Sequence, residues 1–364
     1  MKRWTPNTIL LTAWLVFVCA AYPGYVDEYG VNMLADARSA WYSGAQSPTM
    51  TSLWSVMEWF IAGPSGMFLL QGTALLLCAY HLMRGALSDR ASAYLAGALL
   101  LLPPVLATSS IICPDAQFVA FLLLGLVGLR AKNRPAQIAG GIALLVAGCV
   151  RPLGAAAAFP LLAIALPIRL STRWRQIGAA LIATVTLAFI SVGVNKALVD
   201  GDEHSKVRTD RGMAFAQTLG TSPVRTWRPT YTRFVISKDV GKQLHVVAKH
   251  SRVQSAIEKI VRASGKTPLF YPLVYFILEV ALFGFLAIRR DPLPFAIAAS
   301  GMAHELALYW VDGAPRFEHS NWLIISTLLA AALSWRRFRR PEPSPAAPPD
   351  PLPLAESPAP ASAA

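Results

Sequence analysis

Two adjacent carboxylates, Asp27 and Glu28, follow the first apolar run of the chain, Ile9 to Ala21, after Tyr22-Pro23-Gly24-Tyr25-Val26. A carboxylate is costly in hydrocarbon, so a pair at the mouth of an apolar segment needs a reason. Either the acids face water in an interfacial loop, or they do acid–base work at a membrane surface. Neighbouring residues on a helix or strand point in different directions, so the two do not readily share a proton. One would face the reaction while the other orients a neighbour or a cation. Asp27 is the candidate general base, with Glu28 as its companion, because partial desolvation makes a carboxylate a stronger base.

Other polar residues interrupt apolar sequence. Asp115 follows Cys113-Pro114 and opens another apolar run. It is read either as a capping residue or as a contact for a substrate hydroxyl. Arg151 stands between Gly148-Cys149-Val150 and Pro152-Leu153-Gly154 and requires an anionic partner, a protein acid or a phosphate. The short stretch Asp312 to His319 contains Arg316, Glu318 and His319. His304 and Glu305 lie inside the apolar run before it. No second histidine follows at helical spacing, so a metalloprotease motif is absent, and His304 is expected to be buried and paired. The chain has no phosphate-binding glycine loop, no dinucleotide fingerprint and no nucleophile elbow, which argues against nucleotide chemistry. No cofactor is expected; a need for a divalent metal is left open. Cys19, Cys78, Cys113 and Cys149 lack metal-ligand spacing and read as small packing residues, with a disulfide among Cys19, Cys113 and Cys149 as an alternative.

Long apolar elements must position these groups. Hydrophobic residues make up 54% of the 364 and charged residues only 15%, against about 25% charged in soluble domains. The fold class expected is an all-α polytopic membrane protein. Ten transmembrane helices are predicted near 8–22, 64–83, 92–110, 114–130, 136–150, 152–168, 177–199, 270–288, 293–311 and 320–335. The region 136–168 reads as two short helices hinged at Arg151-Pro152. Basic residues recur in every second connection: Lys2-Arg3, Arg84 to Arg90, Arg130 to Arg134, Arg169 to Arg175, Arg289-Arg290 and Arg336 to Arg340. That alternation puts both termini in the cytoplasm and gathers Asp27, Glu28, Asp115, Arg151, Arg316, Glu318 and His319 on the opposite, outward side.

Two outward segments are long. In residues 23–63 the spacing predicts a short amphipathic helix around Val31 to Trp41 and a second surface or re-entrant helix, Met50 to Ala62, bearing Glu58. Trp41, Tyr42, Trp54 and Trp59 are interface anchors by type. Residues 200–269 contain thirteen basic and six acidic side chains, with helical apolar spacing from Val240 to Ala263. That helix lies against the membrane or the bundle, or presents a solvated face. The transmembrane domain is thus assigned to 1–335. Residues 336–364 are assigned to a disordered cytoplasmic tail, proline- and alanine-rich from Pro341. The net charge of +13 does not indicate nucleic acid, because the basic residues lie between apolar runs and in one loop.

Asp27-Glu28 in the first outward loop, the surface helices after it, Asp115, Arg151-Pro152 and Ala314-Pro315-Arg316-Phe317 together resemble the GT-C class of integral-membrane glycosyltransferases. The resemblance is to bacterial relatives of protein O-mannosyltransferases and of lipid A aminoarabinose transferases. It implies a multi-pass protein of the bacterial inner membrane with its active site facing the periplasm. It implies a polyprenyl-phosphate sugar donor, a lipid, glycan or protein acceptor, a catalytic acid at Asp27 and arginines that hold the donor phosphate. A distinct C-terminal periplasmic domain is missing, and the basic 200–269 loop is unusual. A lipid-linked-sugar flippase or transporter would need polar residues at mid-depth, where Glu279 and Glu305 are the main candidates. An O-antigen ligase or polymerase would centre its chemistry on the 200–269 loop. A non-catalytic scaffold leaves the clustered outward charges unexplained.

Overall fold

The computed structural model describes residues 4–26, 28–44, 47–166, 172–200, 251–265, 267–312 and 317–339. Fourteen α-helices account for most of these: α1 Pro6–Ala21, α2 Glu28–Ser39, α3 Pro48–Glu58, α4 Ser65–Arg84, α5 Asp89–Leu101, α6 Pro103–Ser109 and α7 Pro114–Leu129. They continue with α8 Arg134–Val150, α9 Ala155–Ala165, α10 Arg173–Leu198, α11 Arg252–Ser264, α12 Pro272–Arg289, α13 Pro292–Asp312 and α14 Asn321–Arg339. The described residues contain no named strand; the sole extended pairing is a bridge between Tyr25 and Ile111.

Each predicted apolar segment coincides with one helix or one broken pair. By length and composition α4, α10 and α12 can each cross a membrane, and the bent pair α5–α6 makes a fourth candidate. α1, α7, α8, α9 and α14 are apolar but shorter in the stretch that qualifies. Trp4, Trp59, Trp174, Trp310 and Trp335 are exposed and lie at or near helix ends. Amphipathic rings at such positions are what headgroup zones select.

Prolines punctuate the helices as the backbone chemistry requires. The predicted continuous span 92–110 is instead two helices bent by 68°. Leu102 is extended before Pro103-Pro104, because the ring excludes the α conformation from the preceding residue. The hinge at Arg151 is present: Arg151 is extended, and a 3₁₀ turn Pro152–Gly154 leads into α9. α7 and α8 are joined by a short connection and pack closely. A Cβ on Gly140 would fall 2.5 Å from the Leu129 nitrogen and 2.7 Å from the Gly128 carbonyl carbon. Small residues at a helix crossing allow such an approach, and dispersion then holds the pair without a hydrophobic driving force. The result fixes where the far end of α8, and with it Arg151, stands relative to the start of α7.

The two surface helices form. α2 begins at Glu28 and α3 ends at Glu58, and the two pack together, joined by the Arg38 Nε–Glu58 Oε2 ion pair at 3.0 Å. Trp54 departs from the expected role. It is fully buried, and its indole N–H donates to the Gly63 carbonyl at 3.2 Å, so it is a core residue and not an interface anchor. The four cysteines are free, which removes the disulfide alternative. α11 confirms the C-terminal part of the helix expected at Val240 to Ala263; residues 240–250 lie outside the described residues. α11 packs on α1 and α6.

Candidate functional site

Asp115, Arg151 and His319 meet at one end of the bundle. Asp115 comes from the first turn of α7, Arg151 from the extended link after α8, and His319 from a 3₁₀ turn, Phe317–Ser320, that leads into α14. Arg151 Nε lies 3.0 Å from Asp115 Oδ1. His319 Nδ1 lies 2.8 Å from Asp115 Oδ2 and 3.3 Å from Arg151 Nη2. Asp115 is 2% exposed, while the Arg151 and His319 side chains are 18% and 21% exposed. A buried carboxylate is thus covered by two groups that reach solvent. Removing an ion from water is costly unless a counter-charge and hydrogen bonds replace the lost hydration; here the guanidinium supplies the counter-charge at Oδ1 and the imidazole the hydrogen bond at Oδ2. Asp115 lies in the first turn of α7, where an acid suits the helix N-terminus, but it is not the N-cap. Cys113 is the N-cap of α7, and no side-chain cap bond is made there.

A polar scaffold missed by the sequence reading holds this end together. Gln117, two residues after Asp115 in α7, donates from Nε2 to Gln71 Oε1 at 2.9 Å and to the Met67 carbonyl at 3.1 Å. Gln71 donates in turn to the carbonyls of Ser109 and Ile111, at 2.8 and 2.9 Å. The Ser109–Cys113 turn is pinned from below in this way. From its side the first loop is strapped on: Tyr25 N–H donates to the Ser110 carbonyl and Ile112 N–H to the Tyr25 carbonyl, both at 2.9 Å. Gly24 makes the turn into this strap. Its φ of 106° suits glycine, and an added Cβ would stand 2.9 Å from Phe68. The signal available in sequence was an amide inside an otherwise apolar helix, at Gln71 and at Gln117, since a buried amide demands partners.

Asp27 lies outside the described residues. Glu28 opens α2, and its side chain is not described. The strap nevertheless carries the main chain as far as Val26, which is buried, to the turn preceding Asp115. Arg316 also lies outside the described residues, and Glu318 is described only as backbone of the turn that presents His319. Of the predicted substrate contacts, the structure therefore brings together Asp115, Arg151 and His319.

Two further buried groups stand behind the three. His304 is fully buried and stacks on Phe118, with ring centroids 4.9 Å apart. It was expected to be paired. The His319 main chain is close enough to act on its ring, yet neither ring nitrogen makes a well-formed hydrogen bond among the described residues. Glu305 is 2% exposed and accepts from Ser320 Oγ at 2.9 Å, which tethers the residue after His319. The same end is closed on another side by α10. Asn195 donates to the Cys149 carbonyl at 2.8 Å and accepts from Thr49 Oγ1 at 2.9 Å. Asp200 Oδ2 accepts from Tyr42 N–H at 2.9 Å. On α11, Gln254 donates to the Tyr22 carbonyl. Among the described residues no three His, Cys, Asp or Glu side chains form a group suited to a metal ion. Asp115 is taken up by the Arg151 guanidinium and the His319 ring.

No protein-family model matches the sequence, and no curated protein matches it. Among solved structures, the chain is similar to the oligosaccharyltransferase of Archaeoglobus fulgidus in complex with zinc and sulfate. That likeness has 12% identity and a TM-score of 0.42, over 91% of this chain and 49% of that one. The apo form of the same enzyme gives 12% identity and a TM-score of 0.43, over 93% of this chain and 51% of that one. The chain spans about half the length of those structures.

Proposed function

We propose that this protein is a membrane-embedded glycosyltransferase that moves a sugar from a polyprenyl-phosphate donor to a lipid, glycan or protein acceptor at the outward face. The observation that carries the reading is the meeting of Asp115, Arg151 and His319 beside the strap that holds the first loop. The ten helical segments are read as spans, with the exposed tryptophans at helix ends in the two headgroup zones. Alternation of basic connections then sets this end outward and both termini in the cytoplasm, in a bacterial inner membrane.

Transfer from a lipid-phosphate sugar needs a base for the incoming hydroxyl and cationic groups for the departing phosphate. Asp27, two residues beyond the strapped Tyr25, is the base in this reading, and Glu28 orients it. Arg151 and His319 supply the donors for the phosphate, joined by Arg316. Asp115 holds those two in place, and Glu318 is assigned to substrate binding with them. A donor tethered in lipid enters from the bilayer past α2 and α3.

Two alternatives receive less support. A transporter would line a water-filled path with its mid-depth acids. Glu279 and Glu305 are instead 0% and 2% exposed and held by Ser326 and Ser320. A ligase or polymerase centred on the 200–269 loop rests on residues mostly outside those described. Purified protein in lipid nanodiscs, given polyprenyl-phosphate sugars and candidate acceptors, tests the proposal. Wild-type protein should release the lipid phosphate with transfer of the sugar. Asp27→Asn should lose about 10²- to 10⁴-fold of that rate while inserting and accumulating normally. Normal transfer by this variant removes Asp27 as the base.

A further inference from the structure

A groove between α1 and α5 lies toward the end of the bundle opposite the Asp115 cluster. The contacts of α1 fix which end this is. Its C-terminal end leads into the strap that Tyr25 makes with Ser110 and Ile112, beside the start of α7. Phe17 stacks on Phe68 near the start of α4, with ring centroids 4.7 Å apart. Trp14, earlier in α1, donates from Nε1 to Thr73 Oγ1, later in α4, at 3.0 Å. The two helices are therefore antiparallel. α5 returns from α4 after residues 85–88, so α1 and α5 both start at the end away from Asp115. They touch where both residues are small: a Cβ on Gly97 would stand 2.9 Å from Ala13 Cβ. Beside that contact lies a groove of about 210 Å³, walled by Ile9, Ala13 and Val16 of α1 and by Gly97, Ala98 and Leu101 of α5. Thr12 lines it too, but its hydroxyl donates to the Thr8 carbonyl at 2.8 Å. The walls thus offer hydrocarbon. Trp4 and Tyr94 line the groove toward the helix starts, and both are exposed. Rings with one polar edge at the rim of an apolar slot suit the headgroup level.

Arg90 stands one turn before Tyr94, and positions 90, 94, 97 and 101 share one face of α5. Helical side chains lean toward the N-terminus, which carries the guanidinium past the rim. Arg90 is exposed and has no hydrogen-bond or ion-pair partner among the described residues. The adjacent acid, Asp89, pairs with Arg84 at 3.5 Å. An apolar slot thus ends at two amphipathic rings and an uncompensated cation. We propose that this groove binds an anionic phospholipid of the bilayer, one acyl chain lying in the slot and the phosphate at Arg90. The order of chemistry along the face matches such a molecule: hydrocarbon at Leu101, Ala98 and Gly97, the interface at Tyr94, the anion at Arg90. A zwitterionic phospholipid offers the same chain without the net charge. The inference rests on the membrane placement of α1 and α5 and goes beyond the transferase reading, whose donor phosphate lies at the other end of the bundle.

The test is native mass spectrometry of the full-length protein in a neutral detergent, titrated with phosphatidylglycerol or with phosphatidylcholine of the same acyl chains. Wild type should take up its first phosphatidylglycerol about fivefold more tightly than phosphatidylcholine, the ratio that one arginine at headgroup level supplies. Added salt should shrink that preference. Arg90→Gln should bind the two lipids equally. Arg134→Gln removes the same charge at the exposed start of α8 and should keep the preference. Ala98 is exposed, so Ala98→Phe fills the slot without entering the core and should weaken the first site for both lipids. Ala98→Leu, a smaller filler, repeats that measurement if the ring impairs folding. Equal wild-type affinities, a preference that survives Arg90→Gln, or unchanged lipid uptake by a folded Ala98 variant overturns the inference. A dimer that lipid dissociates assigns the groove to a second copy and overturns it as well. Each of these results leaves sugar transfer at the opposite end untouched, and loss of the transferase reading leaves the lipid measurement intact.

Discussion

Two buried carboxylates in this chain have opposite surroundings. Asp115 sits at an end of the bundle, touches a guanidinium and an imidazole, and is roofed by side chains that reach solvent. Glu279 sits well inside α12, is fully buried, and accepts from Ser326 Oγ at 2.6 Å. No cation lies within ion-pair distance of Glu279 among the described residues. Gly301 of α13 presses on it so closely that an added Cβ would stand 2.4 Å from Glu279 Oε1 and 2.0 Å from Ser326 Oγ. A carboxyl group held by a hydroxyl in a packed helix contact ties helices together. A carboxylate shared by a guanidinium and an imidazole at a rim organises charge where a ligand can arrive. Burial alone does not separate these roles; partners and access do.

The contrast can be broken by mutation. Asp115→Ala leaves Arg151 without its counter-charge, and loss of one partner of a buried pair costs about 3–5 kcal/mol. Thermal unfolding in detergent should show that loss, and sugar transfer should vanish with it. Retained transfer would mean that the Asp115 end is not the site. Arg151→Ala should act mainly through the donor, as a raised apparent KM or lost activity, with a stability cost from the stranded Asp115. Gly301→Ala should overpack the Glu279 contact and cost about 1–3 kcal/mol, with transfer per folded molecule unchanged. Glu279→Gln keeps an acceptor for Ser326 and should cost no more than about 1.5 kcal/mol, again with normal transfer. Abolished transfer in a folded Glu279→Gln protein would collapse the distinction and favour a mid-depth transport role.

Much of the architecture could be read from the chain. Apolar runs marked the helices, Pro152 marked a break while the one at Pro103 was missed, Asp115 and Arg151 stood out as costly residues in apolar surroundings, and His319 stood in the charged turn before the last run. The errors share a cause. Trp54 was assigned to the interface by residue type, yet the fold buries it against Gly63. Asp115 was offered a capping role by position, yet Cys113 is the N-cap and the Asp115 side chain turns toward α8 and the turn before α14. Gln71 and Gln117 were passed over because an amide has no charge to draw notice.

What the sequence settled by itself is where the helices run and which residues are too polar to lie in hydrocarbon unpartnered, because both follow from transfer free energies that act residue by residue. What the tertiary structure decided is which of those residues meet. In helices apolar on every side, periodicity does not mark the face that contacts a neighbour, since lipid and protein are equally apolar partners. The partnership of Asp115 with Arg151 and His319 depends instead on a glycine-mediated crossing of α7 and α8 and on the turn that sets His319 over both. Those are properties of packed surfaces, and they come into being only when the helices assemble.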